Sequence, residues 1–168
     1  MLKADEIIKL LELEPLVPEG GFFRRTYCSK LTITPEFLPS LYQGNRPLTT
    51  AIYYFLTPDT FSAMHMLPSD EIFHFYLGDK VEMLHLYSDG SGQVIKIGND
   101  LASGFYPQIL SPAGCWQGLR LVDGGSYALL GTTMSPGFDY SDYVGGKRDY
   151  LSLKYPEFKE LINQLTRD

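Results

Sequence analysis

Three histidines, two cysteines and a carboxylate that opens an aromatic run are the residues with chemistry to offer. Cys28 and Cys115 lie far apart and form no Cys-x-x-Cys pair, so neither a thiolate metal site nor a disulfide is expected. Glu71 begins the segment EIFHFYL (71–77), and strand alternation puts it on one face with Phe73 and Phe75. If that face is interior, Glu71 is a carboxylate in an apolar cavity. Such a charge is expensive unless it is paired, metal-bound or protonated, and a carboxyl kept neutral in this way suits acid–base work. A bond to a buried arginine or backbone amide is the purely structural alternative. His65 precedes Glu71 closely in the chain, and imidazole titrates in the range a general base needs.

These groups need a frame, and the sequence describes one made of strands. The segments Phe22–Ser29, Thr49–Leu56, Phe61–Leu67, Glu71–Leu77, Lys80–Tyr87, Gln93–Ile97, Gln108–Leu110, Cys115–Val122 and Tyr127–Met134 are short, apolar or aromatic, and separated by Gly, Pro and Asp turns. Twelve Tyr and ten Phe favour strands further. Regular short strands with few helices predict an all-β sandwich or barrel. Two amphipathic helices bracket it. Ile7, Leu10 and Leu11 lie at helical spacing within Asp5–Leu13, and Phe158, Leu161, Ile162 and Leu165 do so from Tyr155 onward. The stretch Thr34–Pro47 is the longest irregular segment, a surface loop or lid.

With Gly78-Asp79 as a two-residue loop, Glu71–Leu86 reads as a hairpin. One face would carry Glu71, Phe73, Phe75, Leu84 and Leu86. The other would carry Ile72, His74, Tyr76, Val81, Met83 and His85. Both faces are largely apolar, so something must cover the outer one, and a homodimer is the preferred cover.

Composition removes several function classes. A chain of 168 residues reads as one domain, 1–168, able to bury a core without staples. Its net charge of −6, from 14 basic and 20 acidic residues, argues against a nucleic-acid partner. No apolar run approaches the ~18 residues of a membrane helix. Met1–Lys9 holds acidic residues and no signal-peptide core, so a cytoplasmic location and no membrane partner are expected.

Two motifs carry a resemblance. His65-Met66-Leu67, three residues, Glu71, six residues and Gly78 resemble the first cupin motif. Pro112-Ala113-Gly114 with Gln117 resembles the second. The wider strings PEGGFFRRTY (18–27), TTAIYYFL (49–56), SDEIFHFYLGD (69–79), SPAGCWQG (111–118) and SPGFDYSDY (135–143) look like a small single-domain cupin branch of unknown function. The resemblance implies a cupin double-stranded β-helix, a jelly roll of two antiparallel sheets with short N- and C-terminal helices. It also implies a site at His65, Glu71 and Gln117. Leu67 and Gln117 stand where cupins carry two further histidine ligands. Leu cannot ligate and Gln is a poor ligand, so the cofactor stays open and a native metal is the less favoured case.

His65 and Glu71 are the expected catalytic groups, with Phe73, Phe75, Leu84 and Gln117 lining a small-molecule pocket. The resemblance extends to metal-free sugar-nucleotide epimerases, which pair a His base with a Tyr acid; no tyrosine here falls at a matching motif position. Three readings follow: a metal-free isomerase or epimerase acting on a sugar or carbonyl compound, a metal-dependent cupin enzyme with a reduced ligand set, or a non-catalytic binding module.

Overall fold

The structure is a computed structural model that describes residues 2–167. Its strands are β1 (Glu14–Pro15), β2 (Phe22–Cys28), β3 (Thr32–Ile33), β4 (Arg46–Pro47), β5 (Thr50–Leu56), β6 (Ser62–Met66), β7 (Glu71–Gly78), β8 (Val81–Leu86), β9 (Gly92–Ile97), β10 (Gln108–Ser111), β11 (Trp116–Leu121), β12 (Ala128–Met134) and β13 (Val144–Gly145). The helices are α1 (Ala4–Leu10), α2 (Arg148–Lys154) and α3 (Lys159–Gln164). All nine expected strands form, within two residues at each end. The N-terminal helix is shorter than expected. The C-terminal one begins as a 3₁₀ turn, Pro156–Phe158, before α3. Helix α2 was not anticipated.

Two antiparallel sheets face each other. The first has the order β1-β2-β5-β12-β7-β10, and the second β13-β6-β11-β8-β9. This is the expected all-β jelly roll. Between the sheets lies a core of Tyr54, Leu56, Phe73, Val81, Met83, Ile97, Leu119, Leu121, Ala128 and Leu130. The second sheet turns its other face to α2 and α3, burying Met64, Leu84 and Leu86 against Leu151, Tyr155, Ile162 and Leu165. Fully burying a side chain of this kind contributes about 1.5–3 kcal/mol, which explains why β8 is apolar on both sides. Helix α1 covers one end of the first sheet through Ile7, Phe55, Tyr127 and Leu129.

The expected hairpin does not form. β7 pairs with β12 and β10, and β8 with β11 and β9. Gly78–Lys80 therefore carries the chain from one sheet to the other, and the two strands share no register. Glu71 and Phe73 do turn inward, with Phe75 packed at the edge of the same core. Leu84 turns away, into the helix-covered layer, and is not a pocket residue. Val81 and Met83 are interior rather than outer. What remains of the outer apolar face is Ile72 and Tyr76, joined by Leu110 opposite Ile72 on β10, with exposures of 37%, 48% and 52%.

Candidate functional site

Strand β11 carries the centre of the site. Gln117 lies directly opposite His65 of β6 on one side and His85 of β8 on the other. Directly paired residues share a face, so all three side chains rise from one row toward the barrel interior. Between Gln117 and Leu119 the β6–β11 ladder shifts register, because Ala63 and Met64 bulge opposite Gly118. Gly118 permits the approach: a Cβ there would sit 2.7 Å from the Met64 sulfur. The bulged amides bond elsewhere, Ala63 N to the Glu19 carbonyl at 2.8 Å and Met64 N to the Leu165 carbonyl at 2.7 Å. The bulge thereby brings the Pro18–Gly21 segment beside His65. Gly20 and Gly21, at φ 108° and 72°, hold that segment in backbone that only glycine adopts readily.

His65, Glu71 and Gln117 meet as the sequence anticipated. The Gln117 amide nitrogen donates to Glu71 Oε2 at 2.6 Å and to His65 Nε2 at 3.1 Å. His65 Nδ1 lies 2.8 Å from the Ala63 carbonyl, an acceptor, so Nδ1 carries the proton and Nε2 the lone pair. Glu19, which the sequence reading missed, places Oε2 4.0 Å from His65 Nε2. Its Oε1 accepts from Ser62 Oγ at 2.6 Å. Tyr143 stacks on the His65 ring, centroids 5.2 Å apart and planes within 19°. Burial, with Glu19 nearby, pushes its phenol up to about 12.

Burial raises the Glu71 carboxyl above its ordinary range, and the Glu19 charge raises it further; His65, Gln117 and Thr132 oppose them. The Tyr54 phenol, buried beside both carboxylates, is likewise pushed up and donates to the Gly20 carbonyl at 2.9 Å.

His85 departs from its expected place. It was expected on the outer face, but it is buried on the interior row, beside Gln117. Both its ring nitrogens and Gln117 Oε1 lack a hydrogen-bond partner among the described residues. Burial lowers its protonation to about pH 4. His74 does face outward, near Thr133 Oγ1 at 3.3 Å.

A cleft of about 510 Å³, its open mouth included, enters the barrel beside Glu71. Glu71, Glu19 and Thr132 supply polar wall. Leu16, Phe23, Ile52, Leu67, Met134 and Phe138 supply apolar wall, and Arg25 and Tyr140 also line the cleft. Phe73 and Phe75 pack in or against the core instead of on this wall, and His65 and Gln117 stand behind Glu71. Glu19 and Arg25 carried no local signal beyond membership of the PEGGFFRRTY string.

The metal that a cupin barrel implies does not fit these residues. The amide nitrogen of Gln117 donates to the two donor atoms a cation would need, and Leu67 offers only methyl groups. Among the described residues no three His, Cys, Asp or Glu side chains are grouped to hold an ion.

Comparison with known proteins agrees with this architecture. The family model described as "Cupin superfamily (DUF985)" matches residues 5–144. The uncharacterized protein YML079W of Saccharomyces cerevisiae is 29% identical over 149 residues, which cover 83% of this chain and 74% of that protein. The crystal structure of protein SO0799 from Shewanella oneidensis superposes with a TM-score of 0.86 at 35% identity, covering 99% of both chains. A mutant of Bacillus subtilis oxalate decarboxylase OxdC gives a TM-score of 0.53 at 15% identity, covering 92% of this chain and 37% of that one, a likeness of fold alone. Among the described residues, no helix is long and apolar enough to cross a membrane.

Proposed function

The chain belongs to the DUF985 family of the cupin superfamily, and from that premise we propose that its barrel binds a small carbonyl or sugar-type molecule and moves a proton on it without a metal, as an isomerase or epimerase does. The observation that carries this reading is the Gln117 amide shared between His65 Nε2 and Glu71 Oε2. It couples one group that holds a lone pair to one whose hold on a proton burial strengthens. Glu71, on the cavity wall, donates to the carbonyl oxygen of the ligand. His65 accepts the proton lost from the adjacent carbon once the ligand draws the Gln117 N–H away. Glu19, 4.0 Å from Nε2, stabilises the imidazolium that results. Proton transfer by a positioned pair of this kind contributes about 10²–10⁴-fold per group.

A binding module without turnover is the second reading. It is favoured by the placement of His65 and Gln117 behind the cavity wall, with both ring nitrogens of His65 already bonded. Proton NMR in D₂O with a panel of sugar nucleotides and small carbonyl compounds separates the two. Turnover predicts loss of the C–H signal beside the carbonyl with the natural protein, and its retention with Glu71→Gln and His65→Ala. Saturable binding with every C–H signal intact refutes the isomerase and leaves the module. The same reading includes a homodimer through the exposed strip Ile72, Tyr76 and Leu110, and a cytoplasmic location.

A further inference from the structure

We propose that Arg25 receives the anionic end of the ligand, so that the barrel takes a short anion: a carboxylate or phosphate at one end, a carbonyl or hydroxyl at the other. This rests on the cleft beside Glu71 being the binding site. The chain has six arginines, and five spend their guanidinium groups on protein acceptors. Arg24 bonds Glu12, Arg46 bonds Asp142, Arg120 bonds Glu82 and Asp123, Arg148 bonds Thr166, and Arg167 bonds carbonyls of Pro18, Glu19 and Phe61. Arg25 makes no hydrogen bond or ion pair among the described residues, yet it lines the cleft.

Its position follows from register. Arg25 pairs with Ile52, a cleft residue, and the ladder shifts between Arg25 and Tyr27. The carboxylate that feels its charge, Asp139, is committed to the Ser141 amide and hydroxyl at 2.9 and 2.6 Å. Of the two carboxylates on the wall, Glu19 is bonded to Ser62 and Glu71 to Gln117.

The cleft is therefore polarised along its length. A guanidinium stands among its lining residues with Phe138 and Tyr140, apolar side chains form much of the wall, and the Glu71 carboxyl with Thr132 offers hydrogen bonds within. A chain of net charge −6 repels anions at long range, so an anionic ligand needs this local cation. Because Arg25 is exposed, solvent screens it, and the discrimination belongs at the low end for a charge-assisted bond, about tenfold.

The test uses two matched pairs: 2-oxobutyrate with its methyl ester, and hydroxyacetone phosphate with hydroxyacetone. Each is titrated into the full chain and followed by ¹H–¹⁵N NMR, including the Arg25 Nε–H. In the natural protein at least one anion binds about tenfold or more tighter than its neutral partner and shifts the Arg25 signal. Arg25→Gln brings that ratio near one by weakening the anion more than its neutral partner, and Arg25→Lys keeps part of the ratio. Whichever pair shows the ratio identifies the carboxylate or the phosphate as the anion. Equal affinities in the natural protein, or a ratio that survives Arg25→Gln, overturn the assignment of Arg25 and leave the cleft as a site. Failure of all four compounds to shift any cleft residue overturns the small-carbonyl reading itself, and this inference with it.

Discussion

Replacing Arg46 by Met should open the mouth of the barrel and cost more stability than any surface substitution. Arg46 and Asp142 form a buried pair, with side-chain exposures of 2% and 6%. Nε and Nη2 of Arg46 donate to Asp142 at 2.9 and 2.5 Å, and Nη2 also donates to Ser141 Oγ at 3.1 Å. Nη1 donates to the carbonyls of Gln43, Gly44 and Asn45. One side chain thus ties the Thr34–Pro47 loop to the segment that carries Tyr140 onto the cleft and Tyr143 onto His65. Met keeps the apolar stem and leaves Asp142 buried and unpaired, a loss of about 3–5 kcal/mol. At roughly 2–4 °C per kcal/mol for a chain of this size, the melting temperature should fall by about 6–20 °C. Scanning calorimetry reads this directly. Arg46→Met combined with Asp142→Leu removes both charges and should recover more than half of the loss, because an apolar pair of similar volume replaces an ion pair at little cost. A single variant that melts within about 2 °C of the natural protein would refute the reasoning.

Three further outcomes follow from the buried titrating groups and the exposed strip. His85 titrates near 4 in the fold against 6.5 in the unfolded chain, so between those values the unfolded state binds a proton the fold excludes. Stability should fall by about 3 kcal/mol on acidification through that window, and His85→Phe should abolish that part of the fall in urea melts at pH 7 and pH 4. Glu71 behaves oppositely: its folded value lies above 4.5, so the fold holds the proton longer and stability declines as pH rises above 4.5. Glu71→Gln should remove that decline; parallel pH–stability curves for the two proteins would contradict the upward shift of Glu71. Light scattering should give twice the chain mass at micromolar concentration, reduced to the chain mass by Tyr76→Lys; a monomeric natural protein refutes the dimer.

The strands and the meeting of His65, Glu71 and Gln117 were legible in the sequence because apolar runs and turn residues are local signals, and because the two motifs fix spacing. Partnership was not legible. Gly78-Asp79 looks the same whether the next strand turns back beside β7 or crosses to the facing sheet, and only the long-range ladders with β12 and β11 decide it. That one choice carried Leu84 and His85 to the wrong faces. The double apolarity of segment 71–86 implies a cover for its outer face, with a homodimer preferred, and on β8 that cover is α2 and α3. Helix α2 was missed because its apolar stripe is thin: Leu151 is its sole buried residue. Arg25 and Glu19 acquire meaning only from the cleft, which no window of sequence contains.

Native mass spectrometry of freshly purified protein tests the central claim, that the cleft beside Glu71 holds a small molecule. The natural chain should carry a small organic mass that denaturation releases. Ala51→Trp, which fills the cleft from β5, should carry none while melting as a folded protein. A natural chain with the bare polypeptide mass, or the same adduct on both proteins, would contradict the account.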